Sequence, residues 1–204
     1  MTAMSEDKAV PSGERRRDGN FVSTLVERIY DTYADNVAVN LNERYNLPRE
    51  SEILAILNSI LELIFPGYSD REVHSPDMLK YAVGELVTNV YMHLSGLLLR
   101  AYQYQCELKG KDNSDCIRLS EETTRTLLEK IPDLREAMKL DIQAAYAGDP
   151  AAKSLDEIVL SYPCIKAITI QRIAHELYVR KVPLIPRMMG EYAHRLTGID
   201  IHPG

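Results

Sequence analysis

Few residues in this 204-residue chain stand where side-chain chemistry would need them. Arg172 and His175, in "RIAH", are three apart, so a helix would place both on one face, as a phosphate or metal element requires. No second carboxylate or cysteine joins them at ligand spacing, so they read as a packed histidine and a partnered arginine. His74, His93, His194 and His202 are scattered, and no metal site is expected. Cys106, Cys116 and Cys164 form no CxxC pair and are odd in number. They read as small buried apolar groups in a reducing cytosol, not as a disulfide framework or zinc knuckle. Arg15–Arg17 offers three cations to phosphate, but Glu14 and Asp18 flank it. Asp149, in "AGDP", directly precedes a proline, where an aspartate stops a helix on any scaffold. Asp141 reads as helix surface.

The elements that must position these groups are helices. Phe21, Leu25, Ile29, Tyr33, Val37 and Leu41 recur every four residues with Val22, Val26 and Tyr30 beside them, making one broad apolar face. A break at Pro48 precedes a second apolar helix over about 50–65, and "PGYSD" closes it with turn chemistry. Ser75-Pro76 has the form of an N-cap followed by proline at the first helical position. The helix it opens is expected to reach Cys106, about 45 Å at 1.5 Å per residue. Its apolar residues cover more than half the circumference, so it calls for neighbours on several sides. Helices are expected to resume at Ser120, as an N-cap, and again near Pro132. Ser154 and Glu157 match a capping box. Pro163 and Pro183 are placed to open two more helices, the last ending at a glycine cap, Gly198. The chain therefore reads as all-α to residue 198, after a disordered lead-in over 1–19. Ile199 and Ile201 then alternate with Asp200 and His202 in the period of a strand, before the corner Pro203-Gly204.

Composition narrows the function classes. The net charge of −6 argues against duplex nucleic acid, although residues 151–204 carry seven Lys/Arg against five Asp/Glu. A helix-turn-helix reading of "TIQRIAHELYVRK" lacks a compact three-helix context. The opening "MTAMSEDKAV" has no apolar signal region, and Lys80, Glu85, Asn89 and His93 interrupt the most apolar stretch, so no membrane span is expected.

The last third, from "DIQA" at 141 through "DPAA" at 149–152 and "YPCIKAITIQRIAHELY" at 162–178 to "TGIDIHPG", resembles the end of the helical domain of bacterial serine O-acetyltransferases. The order and spacing of four short motifs carry the resemblance, while residues 20–140 match only in helicity and length. Cys164-Ile165-Lys166 replaces a frequent Gly-Phe-His, and Glu176 stands where the family often has an aromatic residue.

The resemblance implies a multi-helix N-terminal domain over 20–198, with 199–204 as the first turn of a left-handed parallel β-helix of hexapeptide repeats. It implies acetyl transfer from acetyl-CoA to L-serine, giving O-acetylserine for cysteine biosynthesis in the cytoplasm. The general-base histidine and the coenzyme A groove are expected beyond Gly204, so no catalytic or cofactor-binding residue is assigned here and the chain alone is expected to be inactive. Asp149 is the residue carried over as substrate-binding, pairing with the ammonium of serine. His202 is expected to be structural. The implied partners are further copies of the chain, as a trimer or dimer of trimers, and O-acetylserine sulfhydrylase through a C-terminal tail. The alternative is a stand-alone helical protein-interaction module without catalysis.

Overall fold

The computed structural model describes residues 12–34, 46–69 and 75–204, with the side chains of 12–19 and of residue 76 left aside. Every regular element among them is a helix, and no strand occurs among the described residues. The chain divides into two units, residues 1–45 and 46–204.

The first unit contributes α1, Ser12–Asp31. It begins well inside the segment expected to be a disordered lead-in. Phe21, Val22, Val26, Ile29, Tyr30 and Tyr33, residues of the predicted apolar face, are all exposed. Its continuation through Val37 and Leu41 lies outside the described residues.

The second unit packs six helices around one core. α2, Glu50–Ile64, buries Ile53, Ile56, Leu57, Ile60, Leu63 and Ile64, the spacing of one helical face. α3, Pro76–Leu108, starts as expected, with the Ser75 hydroxyl accepting the Met78 N–H at 3.2 Å. Only a stripe of α3 enters the core, from Leu86 through Val90, Leu94, Leu97 and Leu98 to Tyr102. Met78, Tyr81, Val83, Val87 and Met92 remain exposed on it.

α4, Cys116–Gly148, corrects the two-helix reading of this region. Ser120 is no N-cap; it is buried inside the helix and its hydroxyl donates to the Ile117 carbonyl at 2.7 Å. Pro132 lies within the same helix, its ring on the exposed side. Leu127, Ile131, Leu134 and Met138 form an unbroken buried stripe across it, and that burial outweighs the helix-breaking chemistry of proline. α4 touches α2, α3, α5 and α6 and so forms the shared wall of the unit. Arg135 fastens it to the C-terminus of α2, donating to the Leu63 carbonyl at 2.7 Å and also to that of Ile64.

α5, Leu155–Ser161, is capped by Ser154, whose hydroxyl accepts the Glu157 N–H at 3.1 Å. Glu157 in turn bonds the Lys153 N–H at 2.7 Å, one residue before the donor a capping box would use. α6, Pro163–Val179, ends in a Schellman motif: Lys181 N–H bonds Tyr178 and Val182 N–H bonds Leu177, with Lys181 at φ +58°. α7, Ile185–Thr197, ends as predicted at Gly198, in the left-handed region at φ +72°. Residues 199–204 then form neither strand nor turn. They lie against α6 and α7: the Pro203 carbonyl meets His175 Nδ1 at 2.7 Å, and Gly204 abuts the Tyr178 ring so closely that a Cβ would overlap it.

Candidate functional site

The C-terminus of α4 and the junction of α5 with α6 come together around Asp149. Asp149 leaves helical geometry at φ −118° and ψ 104°, as an aspartate before proline should. Its Oδ1 accepts the Ala151 N–H at 2.9 Å, folding the chain back through an Asx-type turn. Residues 150–154 then feed the seven-residue α5, which carries Tyr162 back to the same place. Tyr162 both ends α5 and caps the start of α6, where Pro163 takes the first helical position. Its hydroxyl donates to Asp149 Oδ2 at 2.5 Å.

The electrostatics of this pair are mutually consistent. The Tyr162 hydrogen bond, aided by the Ala151 N–H, holds the Asp149 carboxyl below the usual carboxylate range. The same bond pushes the Tyr162 phenol up to about 12. The proton therefore stays on tyrosine and the charge on aspartate across the neutral range. A carboxylate offers about four lone-pair positions, and these two donors leave room for a further one. The half-buried Asp149 is thus a fixed anion able to take an ammonium donor. Nothing in the sequence pattern points to Tyr162 as its partner, because the contact depends on how far α5 travels before α6 begins.

The other singled-out residues disperse. Arg172 pairs not with His175 but with Asp141, its Nη2 standing 2.8 Å from the Asp141 carboxylate across the α4–α6 contact. Asp141 is thus an ion-pair partner rather than plain helix surface. Arg172 Nε is buried without a hydrogen-bond partner. His175 turns instead to the Pro203 carbonyl. His93, His194 and His202 are exposed, and His74 lies outside the described residues, as do the side chains of Arg15–Arg17. Among the described residues no group of three or more His, Cys, Asp or Glu could hold a metal ion, and no helix is long and apolar enough to cross a membrane.

No family model matches the chain. Over 163 residues it is 34% identical to a plasmid-encoded serine acetyltransferase of Synechococcus elongatus, covering 78% of this chain and 51% of that protein. It is 43% identical over 67 residues to the serine acetyltransferase of Bacillus subtilis, covering 33% of this chain and 31% of that one. Among solved structures, serine acetyltransferase isoform 3 of Entamoeba histolytica, crystallised in complex with cysteine, superposes with a TM-score of 0.58 at 31% identity. That match covers 89% of this chain and 57% of the other. Native serine acetyltransferase 1 of the same organism shares the fold at a TM-score of 0.58 and 24% identity. The chain spans about half the length of the Synechococcus protein.

Proposed function

We propose that this chain, a relative of the serine acetyltransferases, is the helical part of an enzyme that moves an acetyl group from acetyl-CoA to L-serine. The observation that carries the reading is Asp149. Its "DP" motif, its position at the end of α4 and its pinned, ionised carboxylate all suit the capture of a zwitterionic amino acid by its ammonium group. In the reaction the serine hydroxyl attacks the thioester carbonyl while a histidine takes its proton, and the coenzyme A thiolate then leaves. That base and the coenzyme A groove belong to hexapeptide repeats beyond this helical part, and residues 199–204 are the approach to them. In this reading the helical part supplies the Asp149 contact to serine and leaves proton transfer and the coenzyme A contacts to those repeats. The product, O-acetylserine, feeds cysteine biosynthesis, and the three free cysteines suit a cytoplasmic location.

The helical part also contributes self-association. Met78, Tyr81, Val83 and Val87 are exposed around the first half of α3, on two opposite sides of the helix, which suits more than one neighbouring copy.

The test is a coenzyme A release assay on the longest natural polypeptide containing these residues, with and without Asp149→Asn. The expected result is serine-dependent turnover in the parent, and a roughly 10- to 100-fold higher KM for serine in the variant, the scale of a lost bond to a charged group. An unchanged KM for serine would remove Asp149 from the substrate site. Absence of acetyl transfer to serine in the parent would remove the whole reading, in favour of a helical interaction module.

A further inference from the structure

Cys106 stands in the last turn of α3 and Cys116 is the first residue of α4, so the polar connection between the two helices separates them in sequence. The fold brings their sulfurs to 3.6 Å. Two features hold this approach. The Lys111 N–H bonds the Cys106 carbonyl at 2.8 Å, and the Cys116 N–H bonds the Asn113 carbonyl at 3.1 Å, so the connection is folded back on itself. A disulfide requires about 2.05 Å between sulfurs, and the missing distance is within reach of side-chain rotation and a small shift of an exposed loop.

The two thiols differ in access. Cys116 is 1% exposed, while Cys106 is half-buried and lines a cleft of about 380 Å³ together with Gln105, Leu119, Arg180 and Lys181. Arg180 is already paired with Glu176 at 2.7 Å, which leaves Lys181 as the exposed cation on that wall. Burial, with the neighbouring Cys106 sulfur, pushes the Cys116 thiol up to about 11, so it is not the first to react.

We propose that Cys106 and Cys116 are a modifiable dithiol, closed to an intramolecular disulfide by a low-molecular-weight disulfide such as oxidised glutathione. The Cys106 thiolate attacks one sulfur of the small disulfide, forming a mixed disulfide and releasing the first small thiolate. Cys116 then gives up its proton to solvent and attacks Cys106 Sγ. The Cys106–Cys116 bond forms, the bond to the small thiol breaks, and a second small thiolate leaves. Both thiolates take up protons, so two protein thiols are oxidised and one small disulfide is reduced. The bridge ties the end of α3 to the start of α4. It stands apart from Asp149, at the opposite end of α4, and its failure leaves the acetyltransferase reading intact.

The experiment equilibrates the chain with reduced or oxidised glutathione, quenches with N-ethylmaleimide in denaturant so that buried Cys116 is reached, and combines intact mass with tryptic mapping. Three alkylated cysteines are expected under reduction and one, Cys164, under oxidation, with peptides 101–109 and 112–118 cross-linked. Cys116→Ala should stop at a single glutathione adduct on Cys106, and Cys106→Ser should abolish the cross-link. The oxidised chain should melt about 5–10 °C higher, the scale for closing a short loop in a domain of this size. Three alkylated cysteines under both conditions, or a bridge that involves Cys164 or a second chain, would overturn the proposal. The wild-type map decides even where a variant folds poorly.

Discussion

Replacing Pro132 by alanine should make the protein more stable. Pro132 sits inside α4 with an exposed ring, and as a proline it brings no N–H to the helix. The carbonyl of Leu128, four residues earlier, is therefore denied its helical donor. A proline in a helix interior costs about 3 kcal/mol relative to alanine. That net cost already includes the freedom of the unfolded chain, so the gain is about 3 kcal/mol, which at about 2–4 °C per kcal/mol raises the melting midpoint by about 6–12 °C. Thermal and urea unfolding followed by far-ultraviolet circular dichroism would measure it, with an unchanged urea m-value confirming that the same unit unfolds. A midpoint unchanged or lowered would refute the reasoning. It would mean that the stripe through Leu127, Ile131 and Leu134 packs only because proline bends the helix, so that α4 is two segments in energetic terms.

The Asp149–Tyr162 pair should be visible in pH dependence. For Asp149, whose carboxyl is held down, the stability contribution is present above the unfolded value of about 3.9 and is lost as pH falls through the lower folded value. For Tyr162, raised to about 12, the contribution is complete below about 10 and disappears as pH climbs between the two. Tyr162→Phe should abolish the alkaline dependence, reduce the acid one to the part held by the Ala151 N–H, and move the Asp149 titration upward, read by carboxyl carbon NMR; an unmoved Asp149 titration would mean that the hydroxyl does not hold it. Lys181→Gly should stabilise by about 1 kcal/mol, since a lysine occupies the left-handed position of the α6 Schellman motif where glycine is free of steric cost, and urea unfolding would detect it.

Local chemistry was the legible part of this molecule. Ser75, Ser154 and Gly198 announce helix ends through groups that act within three or four residues, and the structure uses all three. The α2 stripe was readable for the same reason, because 3.6-residue periodicity is a local property. Ser120 and Pro132 misled because each carries a terminus signal that tertiary burial overrode: a hydroxyl can bond backward inside a helix, and a proline on the solvent side removes one bond without displacing the core face. Ile199 and Ile201 alternate like a strand, yet alternation creates a ladder only where another strand is available, and among the described residues none is. The pairing of Asp149 with Tyr162 and the meeting of Cys106 with Cys116 were beyond reach because both are products of helix length and direction. Each joins residues on separate elements, and no single-sequence pattern encodes that distance.

α4 has a further mechanical meaning. It runs 33 residues, about 50 Å at 1.5 Å per residue, with Cys116 at its first residue and Asp149 directly after its last. A rod of that length acts as a lever arm. Pivoting it by only 1° about the Cys116 end sweeps the Asp149 end through about 0.9 Å, comparable with the misplacement that degrades a reacting geometry by orders of magnitude. The aim of the Asp149 carboxylate is consequently set by the bearings of the rod, the Arg135 bonds to α2 and the Arg172–Asp141 pair, as much as by the tyrosine it touches.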